Sequence, residues 1–440
     1  MEIDYQAFDS KRRFGVEFEV NRAITQQALV NAVLKAIPKS NCKIEGWHYD
    51  CGNPSWVVKT DSSCGDHGNK QLDGGGFEIV SCVGQGLDHL LNIEKVATEL
   101  RAAGAVVNNH CGFHCHVEVA DLETVQAATL LAYWCKIEPL MGNAVPIHRL
   151  RSRHCKFFTK HRTKFPAIVN MNDPVRFWES MRLRTLGPEA KRTTATLVNY
   201  QRTKYGQGEW SGFNRPTIEL RLPEGTVNAF DAKNWVRFFI HFVENCSFKH
   251  FPNNVRNATL METLELMGMH TEDKFTVQSA GLLETKIWFL NRLYTYSTNT
   301  LLRKEVMNYW SSMALANMPW PFPPLKLHND FVTQWKLQKD SAKDKVTRLT
   351  RQHRRRPVHR DDDRNTWSAR VAGKFEDRWY ARQEKHAQPI PLISSLGTFL
   401  YPKAGGLLRY RNPPQPQPKV AAPDHAAIIE AESFQWEDNL

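Results

Sequence analysis

Residues 14–20 read FGVEFEV, and this strict alternation decides the fold. Phe14, Val16, Phe18 and Val20 fall on one side of an extended chain, and Gly15, Glu17 and Glu19 on the other, because successive side chains of a strand point to opposite faces. Three later stretches repeat the pattern. Residues 77–81 set Glu78 against Phe77 and Ile79. Residues 113–119 set His114, His116 and Glu118 against Phe113, Cys115, Val117 and Val119. Residues 217–222 set Glu219 and Arg221 against Ile218, Leu220 and Leu222. Half-buried strands of this kind predict a largely antiparallel sheet with one covered face and one wet face.

Helical spacing fills the intervals. Thr25 is placed to cap a helix whose stripe is Leu29, Val30, Val33, Leu34 and Ile37, with Pro38 stopping it. Residues 87–103 predict a second helix ended by Gly104, and residues 124–141 a third. Around residues 231–245, Trp235, Phe238, Phe239, Phe242 and Val243 recur at helical spacing. Residues 40–76, rich in Cys, Asn, Asp and Gly, read as loops with one short strand at 56–59, and residues 255–315 as further helices. The expected fold is α+β: a largely antiparallel sheet with helices on one face. The expected division is a core at 1–250, a helical continuation at 251–335, and a basic, Pro-rich extension at 336–440 that includes NPPQPQPKVAAP at 412–423.

The composition, 41% hydrophobic and 11% aromatic in 440 residues, excludes global disorder. No run of eighteen apolar residues and no signal-like apolar stretch appears, so the expectation is a cytoplasmic protein without a membrane span. Nine cysteines with no CxxC pair point to reduced thiols. The net charge is +12, and residues 331–440 hold 20 Lys and Arg against 13 Asp and Glu. Within 345–360, Lys345, Arg348, Arg351, Arg354, Arg355, Arg356 and Arg360 occur without an acidic residue. Such a stretch can bind a nucleic acid or another polyanion by counterion release. A solvated helix neutralised by Asp361, Asp362 and Asp363 is the plainer reading.

A wet sheet face is normally rich in Thr, Ser, Lys and Gln, whereas this one is mostly Glu and His with one Arg. Like carboxylates on neighbouring strands repel unless cations lie between them, and hard divalent ions with oxygen and imidazole ligands supply that compensation. Acidic ligands, histidines and an arginine suit phosphoryl transfer from ATP. There is no GxxxxGK[ST], so a P-loop is excluded, and the GGG at 74–76 reads as a turn. Cys111, His114, Cys115 and His116 crowd together, but His114 and Cys115 point to opposite faces of a strand and cannot close one zinc tetrahedron. No cue marks Cys111, Cys115 or Cys155 as an activated nucleophile.

Taken in order, FGVEFE (14–19), KTDSS (59–63) with GFEIVS (76–81), NNHCGFHCHV (108–117), HRLRSRHCK (148–156) and TIELRLPEGT (217–226) resemble the amidoligase family. Its members are carboxylate–amine ligases related in fold to glutamine synthetase and glutamate–cysteine ligase, and the resemblance spans residues 13–246. It implies ATP and Mg²⁺ (or Mn²⁺), with two or more ions. Glu17, Glu19, Glu78, His114 and Glu219 would be metal ligands. His116 and Arg221 would contact phosphate, and Arg221, Glu219 and His116 would be catalytic. Arg153 and Lys204 are candidate phosphate or substrate cations, and Asp61 and Arg149 candidate substrate contacts. His154 stands where relatives often carry Tyr. The implied reaction has two steps: a small-molecule or peptide carboxylate takes the γ-phosphoryl group to give an acyl phosphate, and an amine displaces phosphate to form an amide or isopeptide bond. The rivals are a nucleic-acid or partner-binding protein with an inactive ligase-like domain, and a metal-dependent hydrolase.

Overall fold

In the computed structural model, the described residues are 8–45, 55–64, 75–158, 171–185, 192–205, 216–269, 277–312, 325–334 and 337. Along the chain come β1 (Arg13–Asn21), α1 (Gln26–Ala36), β2 (Cys42–Ile44), β3 (Trp56–Asp61), a 3-10 turn (Ser62–Cys64), β4 (Gly76–Val80), β5 (Gly84–Gln85), α2 (Gly86–Ala102) and β6 (Phe113–Glu118). Then follow α3 (Thr124–Met141), α4 (Pro174–Thr185), β7 (Ala195–Thr196), α5 (Val198–Tyr205), β8 (Thr217–Leu220), α6 (Ala229–Ser247), α7 (Leu260–Leu266), α8 (Val277–Tyr296) and α9 (Thr300–Ser312).

These strands form one open sheet in the order β2-β3-β4-β1-β6-β8-β7, with β5 paired to the start of β1. Every pairing is antiparallel except β2 with β3. The fold is therefore α+β, as the alternation predicts. β1 is central because its inward residues, Phe14, Val16, Phe18 and Val20, are at most 1% exposed. They share one core cluster with Trp56, Val58, Ile79, Phe113, Cys115, Val117, Ile218 and Leu220 from the other strands. Against that layer lie Leu29 and Val33 of α1, Leu90, Ile93 and Val96 of α2, Leu130 and Trp134 of α3, and Trp235, Phe239 and Phe242 of α6. Burying each large side chain contributes about 1.5–3 kcal/mol, so the helical layer holds the sheet from one side.

The helix ends follow their capping chemistry. Thr25 Oγ1 accepts from the Ala28 N–H at 3.2 Å. Asn228 Oδ1 accepts from the N–H groups of Phe230 at 2.9 Å and Asp231 at 3.3 Å. Gly104, at φ 89°, turns the chain out of α2 in the left-handed region. Three short strands escape the sequence reading: β5 and β7 have two residues each, and β2 is a three-residue edge strand whose Lys43 and Ile44 are exposed, so no alternation marks them.

Beyond the sheet, α8 is tied back to it. Arg292 Nε donates to the Ala144 carbonyl at 2.8 Å, and its Nη2 pairs with Glu224 just after β8. Apart from Leu337, the extension at 336–440, including the basic stretch 345–360, lies outside the described residues. No described helix is long and apolar enough to cross a membrane.

Candidate active site

Sheet register determines which polar residues meet. Lys59 lies opposite Glu78, and Glu78 opposite Glu19, so β3, β4 and β1 contribute one row. Glu17 lies opposite His114 across β1 and β6, and His116 opposite Glu219 across β6 and β8. Residues opposite one another share a face. All of these therefore lie on the side away from the helical core.

Within this face, Glu17 joins two imidazoles: Oε2 is 2.8 Å from His114 Nδ1, and Oε1 is 3.0 Å from His116 Nε2. The other ring nitrogen of His114 is 3.3 Å from Glu19 Oε1, and Glu219 Oε1 is 3.9 Å from His114 Nδ1. The Gly112 N–H donates to Glu19, Lys59 Nζ lies 3.2 Å from Glu78 Oε2, and Arg221 pairs with Glu219. The side chain of His114 is 3% exposed and that of His116 22%, so His116 is the more open of the pair.

Two sets of groups could each hold an ion. Glu17, His116 and Glu219 offer ligand atoms within 4.8 Å of one another, as do Glu19, Asp61 and Cys64. Two carboxylates at such a distance repel by about 3–4 kcal/mol in an interior with an effective dielectric constant near 20. A favourable cross-strand pair contributes only about 0.2–1 kcal/mol. Among the described residues, five carboxylates (Glu17, Glu19, Asp61, Glu78 and Glu219) thus gather here, with Lys59 paired to Glu78 and Arg221 to Glu219. Protons or metal ions can balance this arrangement, and its carboxylate and imidazole donors fit Mg²⁺ or Mn²⁺.

The titration of these groups has the same cause. Burial, then the charges of Glu17 and Glu19, push Glu78 well above the ordinary carboxylate range despite Lys59. Burial raises Glu17 too, but His116 and His114 outweigh it and hold that carboxyl well below the usual range. Burial works against protonation of His116, and the carboxylates of Glu17 and Glu219 overcome it and raise its pKa. Glu219 is lowered against its burial by Arg221 and His116, and Arg221 stays firmly ionised against its own burial through Glu219.

Of the remaining predicted residues, Asp61 joins the site and Arg149 lies against it, whereas Arg153 is exposed. Asp61 ends β3, where it accepts from the Ser63 N–H at 2.7 Å and the Ser63 hydroxyl at 2.8 Å. Arg149 is 1% exposed. It lies beneath β8 with Nε donating to the Leu222 carbonyl at 3.1 Å and Nη2 to the Arg221 carbonyl at 2.6 Å. Gly112 leaves the necessary space, since a Cβ there would stand 2.6 Å from Arg149 Nη2 and 2.8 Å from His114 Nε2. Arg153 is exposed, with Nε 3.0 Å from His154 Nε2. Lys204 belongs to α5, and its side chain lies outside the described residues. Glu118, on the same side of β6, leaves the site and pairs with Arg13, whose Nε is 2.9 Å away.

Lys59 and Cys64 were not among the residues singled out from sequence. Lys59 could have been found, because Trp56 and Val58 are core residues and Val57, Lys59 and Asp61 alternate with them. Cys64 lies in a 3-10 turn, which carries no alternation.

A family model described as "Putative amidoligase enzyme" matches residues 10–243. No curated protein matches the chain.

Proposed function

Since the chain belongs to the amidoligase family, we propose that it is an ATP- and metal-dependent ligase joining a carboxylate to an amine through an acyl phosphate. The reading rests chiefly on one observation: two groups of potential ligands meet on the polar face of the sheet, with the Arg221 guanidinium beside them. Glu17, Glu19, Glu78, His114 and Glu219 would hold two or more Mg²⁺ or Mn²⁺ ions, which when bound neutralise phosphate charge. Arg221, oriented by Glu219, pairs with the γ-phosphoryl group and then with the acyl phosphate. His116, being the more open histidine, donates to phosphate oxygen. Arg153 and Lys204 are the outer cations. Arg149, whose guanidinium is engaged by two carbonyls, positions the Arg221 backbone.

In the first step an oxygen of the substrate carboxylate attacks the γ-phosphorus and ADP leaves. In the second, the amine attacks the acyl carbon, phosphate leaves, and the amine loses a proton to solvent. Kinship in fold with glutamine synthetase and glutamate–cysteine ligase belongs to the same reading, as does a catalytic core at 1–250 continued by helices at 251–335. The eight described cysteines are free thiols, which fits a reducing compartment such as the cytoplasm.

The test is phosphate release by the full chain with ATP and Mg²⁺, screened over amino acids, short peptides and amines. Release of ADP and phosphate that needs both a carboxylate and an amine is the expected result. Amide hydrolysis without ATP would favour a hydrolase. The absence of both turnover and a Mg²⁺–ATP thermal shift would overturn the proposal.

A further inference from the structure

The polar face contains a thiol that the ligase chemistry does not use. Cys64 closes the 3-10 turn after β3 and is fully buried, with Sγ 3.4 Å from Asp61 Oδ2. Glu19 on β1, Asp61 at the end of β3 and Cys64 in the turn each offer a ligand atom, all within 4.8 Å of one another. Cys111, also fully buried, has its Sγ 3.3 Å from Asn108 Oδ1.

The simplest alternative is a pair of ordinary core thiols. Cys115, Cys135, Cys155 and Cys246 are of that kind, for all four belong to the hydrophobic core. Cys64 and Cys111 do not. Their closest polar partners are the Asp61 carboxylate for Cys64 and the Asn108 amide for Cys111. The position of Cys64 is also built by its neighbours. Gly76 makes room for it, since a Cβ there would stand 2.6 Å from Cys64 Cβ and 2.2 Å from the Val20 carbonyl oxygen. From the other side, Asn108 Nδ2 donates to the Cys64 carbonyl at 2.9 Å.

We infer that Glu19, Asp61 and Cys64 form a cation position that takes a borderline ion of the Zn²⁺ class through one thiolate and two carboxylates. Mg²⁺ prefers oxygen and keeps its waters, whereas Zn²⁺ binds thiolate, imidazole and carboxylate alike. The Glu17 and Glu219 carboxylates of the other group remain the place for the hard ion. Binding exchanges the Cys64 S–H bond for a sulfur–metal bond, and the proton leaves to solvent. Cys111 stays outside the coordination shell, with its thiol donating to Asn108 Oδ1. The inference rests on the polar face being a metal centre, not on the ligation reaction.

Co²⁺ can report on this position as a stand-in for Zn²⁺. Titration of the reduced full-length chain with Co²⁺ should give a thiolate-to-cobalt charge-transfer band that Zn²⁺ removes and excess Mg²⁺ does not. The band should vanish in Cys64→Ser and persist in Cys111→Ser. X-ray absorption of the Zn²⁺-loaded wild-type chain, which needs no variant, should find one sulfur in the zinc shell. Bound cobalt without the band, an all-oxygen-and-nitrogen zinc shell, or a band that survives Cys64→Ser would each overturn the inference. The outcome is separable from that for the ligase: the band without ATP turnover would count against ligation alone, and turnover without the band would count against the thiolate site alone.

Discussion

Glu17 and His114 face each other across the central β1–β6 pair, with Oε2 of the glutamate 2.8 Å from Nδ1 of the imidazole. The second oxygen of the same carboxylate reaches His116. One residue therefore aligns both histidines, and its charge is the feature to remove. Glu17→Gln keeps the shape and a hydrogen-bonding group. It should weaken Mn²⁺ binding at least about tenfold, or about 1.4 kcal/mol, with the far-ultraviolet circular dichroism unchanged. Calorimetric titration would reveal it, and equal affinity in the two proteins would mean that this carboxylate is not a ligand.

Glu78 links the site to pH. Burial together with Glu17 and Glu19 raises its folded-state pKa well above normal. The proton-bound form then favours folding. That contribution is complete below the unfolded value of about 4.3 and is lost as pH rises through the raised value. In metal-free protein this contribution should decline from acidic to neutral pH, and a divalent ion should restore it. Glu78→Gln should flatten the decline and raise the metal-free Tm at pH 7 by about 2–4 °C. Calorimetric scans in chelator at several pH values would check this.

His89 produces an opposite trend at the other end of β1. Its ring is 6% exposed and lies 4.9 Å from that of Phe14. Burial lowers its pKa from 6.5 to about 4. A depressed histidine contributes stability that is whole above about pH 6.5 and disappears as pH falls to about 4. The loss amounts to about 3 kcal/mol. Urea unfolding at pH 7 and pH 4.5 should show a smaller difference for His89→Gln than for the wild type.

Arg149 is expected to matter without touching substrate. Replacing it by Met leaves the Leu222 carbonyl without this donor and the Arg221 carbonyl with the Cys155 thiol in place of a guanidinium, at a cost of about 1–3 kcal/mol. Turnover should fall more than tenfold because Arg221 keeps only its Thr194 and Cys155 contacts as backbone anchors. Arg149→Lys, which cannot reproduce the forked contact, should recover stability in part. Full activity in Arg149→Met would exclude the positioning role.

Much of this was legible in the sequence, and the limits have physical causes. Alternation in β1, β4, β6 and β8 is clear because one side of each strand is packed into the core, as with Phe18, Ile79, Val117 and Ile218. It gives the side on which Glu17 or His116 lies, but not which partner it meets. That depends on register, which joins Glu19 to Glu78 and His116 to Glu219. Glu118 shows the limit: its position on the strand places it on the site face, yet it pairs with Arg13 at the strand's end. Cys64 could not be read at all, because a turn has no periodicity and its neighbours Glu19 and Asn108 are distant in the chain.

β6 alternates His114 and His116 with Phe113, Cys115 and Val117, the latter three buried in the core beneath the helices. The strand is thus a lever with packing on one arm and coordination on the other. A methyl group added or removed under Cys115 must shift both imidazoles together, since they share its peptide bonds. Substitutions far from any ligand, in the aromatic layer of α6, should therefore alter metal preference before they unfold the chain.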